Sequence, residues 1–137
     1  MEIMKIHPDA TIPGRAHPDD AGLDLVSVDE LDLPPQSGRL VRTGIAVAIP
    51  QQHVGMIADR SSMAKKGLKT AGGIIDAGYR GEVMVVLWNL GRETAHISRG
   101  DRIAQLLVIP IATPAVNQVE TLDSTGRGAG GFGSTGK

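Results

Sequence analysis

The sequence predicts an all-β fold, a jelly-roll barrel or sandwich, on three observations. Apolar residues come in short runs, Gly and Pro break those runs at close intervals, and a single segment carries helix signals. Many short strands with turn residues between them bury their inner faces by closing into a barrel or stacking as two sheets.

Along the chain, residues 23–28 and 39–43 are the first candidate strands. In the segment from Gly44 to Pro50, Ile45, Val47 and Ile49 alternate with Ala46 and Ala48, the period of two expected of a strand. Residues 54–58 follow. Ser62 is placed to N-cap one helical turn through Met63, Ala64, Lys65 and Lys66, which Gly67 ends in a left-handed conformation. The runs Val83 to Trp88 and Ile103 to Ile109 are almost continuously apolar and rich in β-branched residues, a pattern that predicts strands buried on both faces. Residues 94–97 supply a further strand, and no internal repeat is present.

At 137 residues the chain is the size of one domain. Leu, Ile, Val and Phe number 35, about a quarter of the chain, which excludes disorder throughout. With 14 basic and 15 acidic side chains the formal charge is -1, and a broad electrostatic nucleic-acid binder is excluded. The absence of Cys excludes disulfides, thiolate catalysis and Cys-ligated metal. Met1 to Pro8 lacks an apolar signal core, and no run approaches the roughly 18 apolar residues of a membrane helix. A soluble, cytoplasmic protein with no membrane partner is expected. Residues 126–137 are half glycine, a composition that predicts a flexible tail after a single domain at 1–125. Phe132 in that tail is one of only three aromatic residues, and linkers rarely carry one.

Three pattern matches fail on context. Gly126-x-Gly128-x-x-Gly131 has no βαβ unit around it, and Gly131 to Lys137 starts a phosphate-loop pattern without its Ser/Thr or helix. Ser62-Met63-Ala64-Lys65 spells S-x-x-K in a chain too short for the enzymes that use it. His7, His17, His53 and His96 have no metal-ligand spacing.

Arg60-Ser61-Ser62 at the start of the helical turn offers a guanidinium, two hydroxyls and free backbone N–H groups, which together suit a phosphate. Alternatively, Arg60 pairs with Asp59 and Ser62 is a plain cap. Asp76 lies between Ile74-Ile75 and Ala77-Gly78-Tyr79, where a partly apolar setting suits a general base. It can equally be a turn residue bonding its own backbone.

Five segments occur in a telling order: Ala21 to Leu25, Arg60 to Ala64, Gly73 to Glu82, Gly100 to Leu106 and Arg127 to Gly136. Together they resemble the five motifs of the trimeric dUTP pyrophosphatases, or dUTPases. The resemblance implies a jelly-roll homotrimer with sites shared between subunits, hydrolysing dUTP to dUMP and pyrophosphate with Mg²⁺. Asp76 would activate the water that attacks the α-phosphorus. Arg60, Ser61, Ser62 and Gln105 would hold the phosphates. The hairpin of Ile74, Ile75 and Asp76 would meet the uracil edge through its backbone, with Gly73 and Met84 among the substrate-binding residues. Tyr79 would lie under the deoxyribose. In the tail, acting as a lid, Phe132 would cover the base while Arg127, Ser134 and Thr135 reach the phosphates, with Gly133 also among the substrate-binding residues. Asp24 would stand near the water shell of Mg²⁺, which the family holds through the triphosphate.

The chain departs from the family pattern at three positions: Asp59 replaces a usual Pro, Ser62 a common Gly, and Thr70, a candidate uracil contact, a frequent Asn. A dCTP deaminase resembles the same fold, but its proton-shuttling Glu corresponds to Val86 here, and the glycine-rich tail is foreign to it. A non-catalytic nucleotide-binding or interaction module is the other alternative.

Overall fold

Residues 1–129 are described by the structure, a computed structural model. They form β1 (Glu2–Lys5), β2 (Leu23–Val26), β3 (Leu31–Leu33), β4 (Ser37–Ala48), β5 (His53–Ala58), α1 (Ser61–Lys65), β6 (Leu68–Ala71), β7 (Ile74–Ile75), β8 (Glu82–Asn89), β9 (Ala95–Ile97) and β10 (Arg102–Pro110). Two four-stranded antiparallel sheets, ordered β1-β4-β8-β6 and β2-β10-β5-β7, and a small β3-β9 ladder make up the architecture. Their inner faces meet in one core of Leu25, Val41, Ile45, Val83, Val85, Leu87, Ile103 and Leu106, each fully buried. Burying one such side chain contributes about 1.5–3 kcal/mol, so the strand alternation read from the sequence fixes which face turns inward.

Residues 39–43 and 45–48 are one bent strand, β4, rather than two. The bend falls at a register shift between Arg42 and Ala46, where Gly44 takes φ +68° and His7 Cβ lies 2.6 Å from where its Cβ would be. A residue with a side chain would collide there, so the turn signal at Gly44 marks a bulge and not a strand end.

Burial on both faces is not what β8 shows. Val83, Val85 and Leu87 point inward, while Val86 and Trp88 on the other face are 36% and 41% exposed. Each sheet has only one face against the core, and among the described residues nothing covers the outer face of β8 at Val86 and Trp88. Leu40 lies opposite Val86 on β4, and the Trp88 ring lies over Gly38, extending the apolar surface. In β10, Leu107, Val108 and Ile109 are likewise only half-buried.

The helical turn is present, with Gly67 at φ +77° behind it. Ser62 is not its cap, however. Arg60, in extended conformation, holds that position, and Ser62 lies inside the first turn, with no side chain making a capping hydrogen bond. Strands β1, β3 and β6 are only three or four residues long, too short for an apolar period of two to stand out in the sequence. After β10, residues 111–125 are exposed and without regular secondary structure, and Thr125 then accepts the Gly128 N–H in a turn. Among the described residues no helix is long and apolar enough to cross a membrane.

Candidate active site

Asp24 on β2, Gln105 on β10 and Ala58 on β5 are successive partners across three neighbouring strands. Directly paired residues share a face, so this register brings the Asp24 and Gln105 side chains beside the loop that follows β5. Arg60 leaves that loop and donates from Nε to Asp24 Oδ1 at 2.7 Å and from Nη1 to the Arg102 carbonyl at 3.0 Å. Arg102 Nη1 donates to Asp24 Oδ2 at 3.1 Å. The alternative pairing of Arg60 with Asp59 is therefore not made.

Asp24, Arg60 and Gln105, with Ala21, Gly22, Ser61 and Ser62, line a cleft of about 430 Å³. Ser61 and Ser62 open α1, where N–H groups have no intrahelical acceptor, and Arg60 Nη1 lies 3.4 Å from Ser62 Oγ. The cleft thus gathers guanidinium, hydroxyl and amide donors, the groups that bind phosphate oxygens. Gly22 lets the Gln105 amide lie close to the backbone: a Cβ there would lie 2.0 Å from Gln105 Oε1 and displace it.

Asp59 lines neither this cleft nor the second one. Its carboxylate accepts hydrogen bonds from Lys69 Nζ at 2.7 Å, Thr70 N at 2.7 Å and Thr70 Oγ1 at 2.8 Å. Burial pushes its carboxyl up, but the hydrogen bonds from Lys69 and Thr70 outweigh that and hold it below the usual range. Thr70, whose hydroxyl is spent on Asp59, lines neither cleft either.

The second cleft, about 240 Å³, is walled by Leu40, Ile57, Gly73, Ile74, Ile75, Asp76, Tyr79, Glu82 and Met84. Gly73 has φ +102°, and its carbonyl accepts the Ile57 N–H at 2.8 Å, which pins the hairpin to β5. Ile75 points into the core, so its neighbours Ile74 and Asp76 face outward. The Asp76 carboxylate has no hydrogen-bond or ion-pair partner among the described residues, and the bond at this turn is a backbone one, from Tyr79 N–H to the Asp76 carbonyl. Tyr79 folds over Gly81 and donates from its hydroxyl to the Glu82 carbonyl at 3.0 Å.

The structure thus brings Asp24, Arg60, Ser61, Ser62 and Gln105 to one cleft and Gly73, Ile74, Ile75, Asp76, Tyr79 and Met84 to another, with no lining residue in common. Arg127 lies on the exposed segment, while Phe132, Gly133, Ser134 and Thr135 lie outside the described residues. Sequence reasoning gave no role to Glu82 and Leu40, which wall the second cleft, or to Arg102, which holds Asp24; their segments were in view, but only the register of the folded strands places them there. Among the described residues no three His, Asp or Glu side chains come together as a metal cage, while Asp20 and Asp24 both line the first cleft.

The family model described as dUTPase matches residues 8–136. The chain belongs to the dUTPase family. The deoxyuridine 5'-triphosphate nucleotidohydrolase of Rhodococcus erythropolis is 50% identical over 138 residues, covering 98% of this chain and 84% of that one. Among solved structures, a Staphylococcus bacteriophage 80alpha dUTPase mutant with dUpNHpp superposes with TM-score 0.92 at 32% identity, covering 99% of this chain and 98% of that one. A mutant dUTPase from phage phi11 of S. aureus, described as revealing the coordination of a structural Mg(II) ion, matches with TM-score 0.81 at 31% identity, over 88% and 96% of the two chains. The all-β expectation and the dUTPase resemblance both hold for this chain.

Proposed function

We propose that this chain hydrolyses dUTP to dUMP and pyrophosphate. The observation that carries this reading is the pair of clefts, one rich in phosphate-binding donors and one apolar with a carboxylate at its wall, in a chain of the dUTPase family. Arg60, Ser61, Ser62 and Gln105 bind the triphosphate and spread its charge. The backbone of Gly73, Ile74 and Ile75 meets the uracil edge, Tyr79 and Met84 pack on the nucleoside, and Asp76 takes a proton from the attacking water. The new bond joins that water oxygen to the α-phosphorus. The bond from the α-phosphorus to its bridging oxygen breaks, and pyrophosphate leaves with the electron pair. Such a reaction needs positioning and charge neutralisation more than covalent help.

Mg²⁺ fits here through the triphosphate, with Asp24 as a partner of its water shell. The Asp24 oxygens keep lone pairs beyond those used by Arg60 and Arg102. When bound, the ion neutralises phosphate charge.

A homotrimer accounts for two features of one subunit. Leu40, Val86 and Trp88 form an outward apolar row that needs a cover. The two clefts lie apart on a chain, so a site assembled from different subunits unites them, and residues 126–137 close over it as a lid. The soluble enzyme works in the cytoplasm, without nucleic-acid partners.

The test is pyrophosphate release from dUTP, with dCTP, dTTP and UTP as controls. Asp76→Asn should bind dUTP yet lose roughly 10²- to 10⁴-fold in kcat, the usual contribution of a general base. Turnover within about threefold of wild type would remove Asp76 from this role.

A further inference from the structure

Asp59 lines neither cleft, yet it is tied to the segment that leads to each. It stands immediately before Arg60, and its backbone carbonyl accepts the Gln105 Nε2 hydrogen bond at 2.7 Å. Its carboxylate turns the other way, onto β6, where Thr70 donates twice and Lys69 once. β6 in turn runs through Gly72 into the hairpin of Gly73, Ile74 and Ile75.

This clasp has a mechanical consequence. With its side chain fixed on β6, Asp59 has little freedom to rotate its peptide, so the carbonyl that holds Gln105 keeps one direction. On its other side the Gln105 amide lies against Gly22, so close that a Cβ there would collide with Oε1. The amide is thus held between a fixed acceptor and a backbone wall.

We propose that Asp59 is a positioning residue for triphosphate binding: clasped to β6 through Thr70, it sets the Gln105 amide and the backbone of Arg60 without touching the ligand. The inference rests on the triphosphate reading of the first cleft. Lys69 is 60% exposed, and an exposed ion pair contributes little, so the acceptor oxygen facing Thr70 carries the effect. That singles out hydrogen bonding over charge and separates the variants.

Asp59→Ala removes the clasp, Asp59→Asn keeps an oxygen for Thr70, and Thr70→Val removes the hydroxyl from the other side. Binding of inorganic pyrophosphate and of deoxyuridine is measured by calorimetry for each full-length variant, together with KM and kcat for dUTP. Asp59→Ala should weaken pyrophosphate binding and raise KM by about five- to fiftyfold, as expected when hydrogen bonds to a partly buried group are lost. Deoxyuridine binding should change less than about threefold. Thr70→Val should move in the same direction, and Asp59→Asn should stay within about threefold of wild type.

Three results would overturn the proposal: an Asp59→Ala that binds pyrophosphate as wild type does, a parallel loss of both ligands, or a Thr70→Val that loses deoxyuridine instead. Thermal melts at fixed concentration identify any variant that fails to fold; Asp59→Asn and Thr70→Val then carry the comparison. A wild type that binds pyrophosphate but leaves dUTP intact overturns the hydrolase reading alone, because the binding comparison still stands.

Discussion

Arg60 Nε and Asp24 Oδ1 meet at 2.7 Å, and Arg102 grips the other carboxylate oxygen from behind. The pair joins a side chain from the loop after β5 to one from β2, across the intervening β10. Arg60 uses Nε for Asp24 and Nη1 for the Arg102 carbonyl, which aims the planar guanidinium and keeps its remaining N–H groups for a ligand.

Arg60→Lys should therefore cost more than the retained charge suggests. A lysine ammonium is a single point of donors and cannot reach Asp24, the Arg102 carbonyl and a phosphate together. Loss of one charge-assisted hydrogen bond, about 1.5–3 kcal/mol, predicts a drop in kcat/KM of roughly 10- to 150-fold with dUTP. Steady-state kinetics of the purified variant measure it, and a change under threefold would mean that Arg60 does not bind the triphosphate.

The strands with a clear apolar alternation were legible in the sequence because alternation is local: Ile45 and Val47 report their own burial. Asp24, Gln105 and Arg60 could be named only as members of motifs, since their meeting depends on the pairing of β2, β10 and β5, residues far apart in the chain. The run from Val83 to Trp88 misled for the opposite reason. Composition records that Val86 and Trp88 are apolar, but not whether their cover comes from the same chain. For Thr70 the sequence showed only a departure from the family pattern; that its hydroxyl donates to the Asp59 carboxylate depends on the pairing of β6 with the loop after β5.

Stability should depend on pH at two ends. Burial raises the Asp59 and Asp29 carboxyls, but hydrogen bonds from Lys69 and Thr70 in one case and from Arg42 in the other bring both below the ordinary carboxylate value of 3.8. Folded-state values below the unfolded ones mean stability that is present above pH 3.8 and lost as pH falls through the folded values. His96 is the reverse: a hydrogen bond to Asp32 at 2.7 Å raises it above 6.5, so its contribution is full below that pH and fades as pH rises through the folded value. His96 is exposed, and its limb should be the shallower one. Urea midpoints at fixed protein concentration, from pH 3 to 9, measure both limbs. His96→Gln should flatten the neutral limb only, and a limb unchanged by that variant would assign the effect elsewhere.

The outward face of β8 tests the assembly. Trp88 is 41% exposed beside Val86 and Leu40, and placing a carboxylate there would desolvate a charge if a partner covers the row. Trp88→Glu should shift the protein from a trimer of about three times 14.3 kDa toward monomer, as read by light scattering, while wild type stays trimeric. A wild-type monomer at assay concentration would leave the apolar row without this explanation. Mixing Asp76→Asn chains with chains truncated after Thr125 should then restore part of the activity, because subunits of the two kinds can combine their intact parts at one site.

The lid assignment concerns residues 126–137, and its prediction separates a working segment from an inert one. The sheets and the core end before it, since β10 closes at Pro110 and no core residue lies beyond Leu106 among the described residues. Truncation after Thr125 should accordingly leave the fold and the trimer in place. Activity should fall. If Phe132 covers the uracil, Phe132→Ala loses a base-stacking contact of about 1–3 kcal/mol, or roughly five- to a hundredfold in kcat/KM. Truncation should cost more, because it also removes Arg127, Ser134 and Thr135 from the phosphates and opens the triphosphate to water. A closing lid leaves a second trace that activity alone does not give. Arg127 is exposed here, so trypsin should cut after it in the free protein, and dUpNHpp with Mg²⁺ should slow that cleavage by drawing the segment over the site. Equal cleavage rates with and without the nucleotide, alongside full activity after truncation, would make the glycine-rich segment a linker and return base coverage to the walls of the Tyr79 cleft.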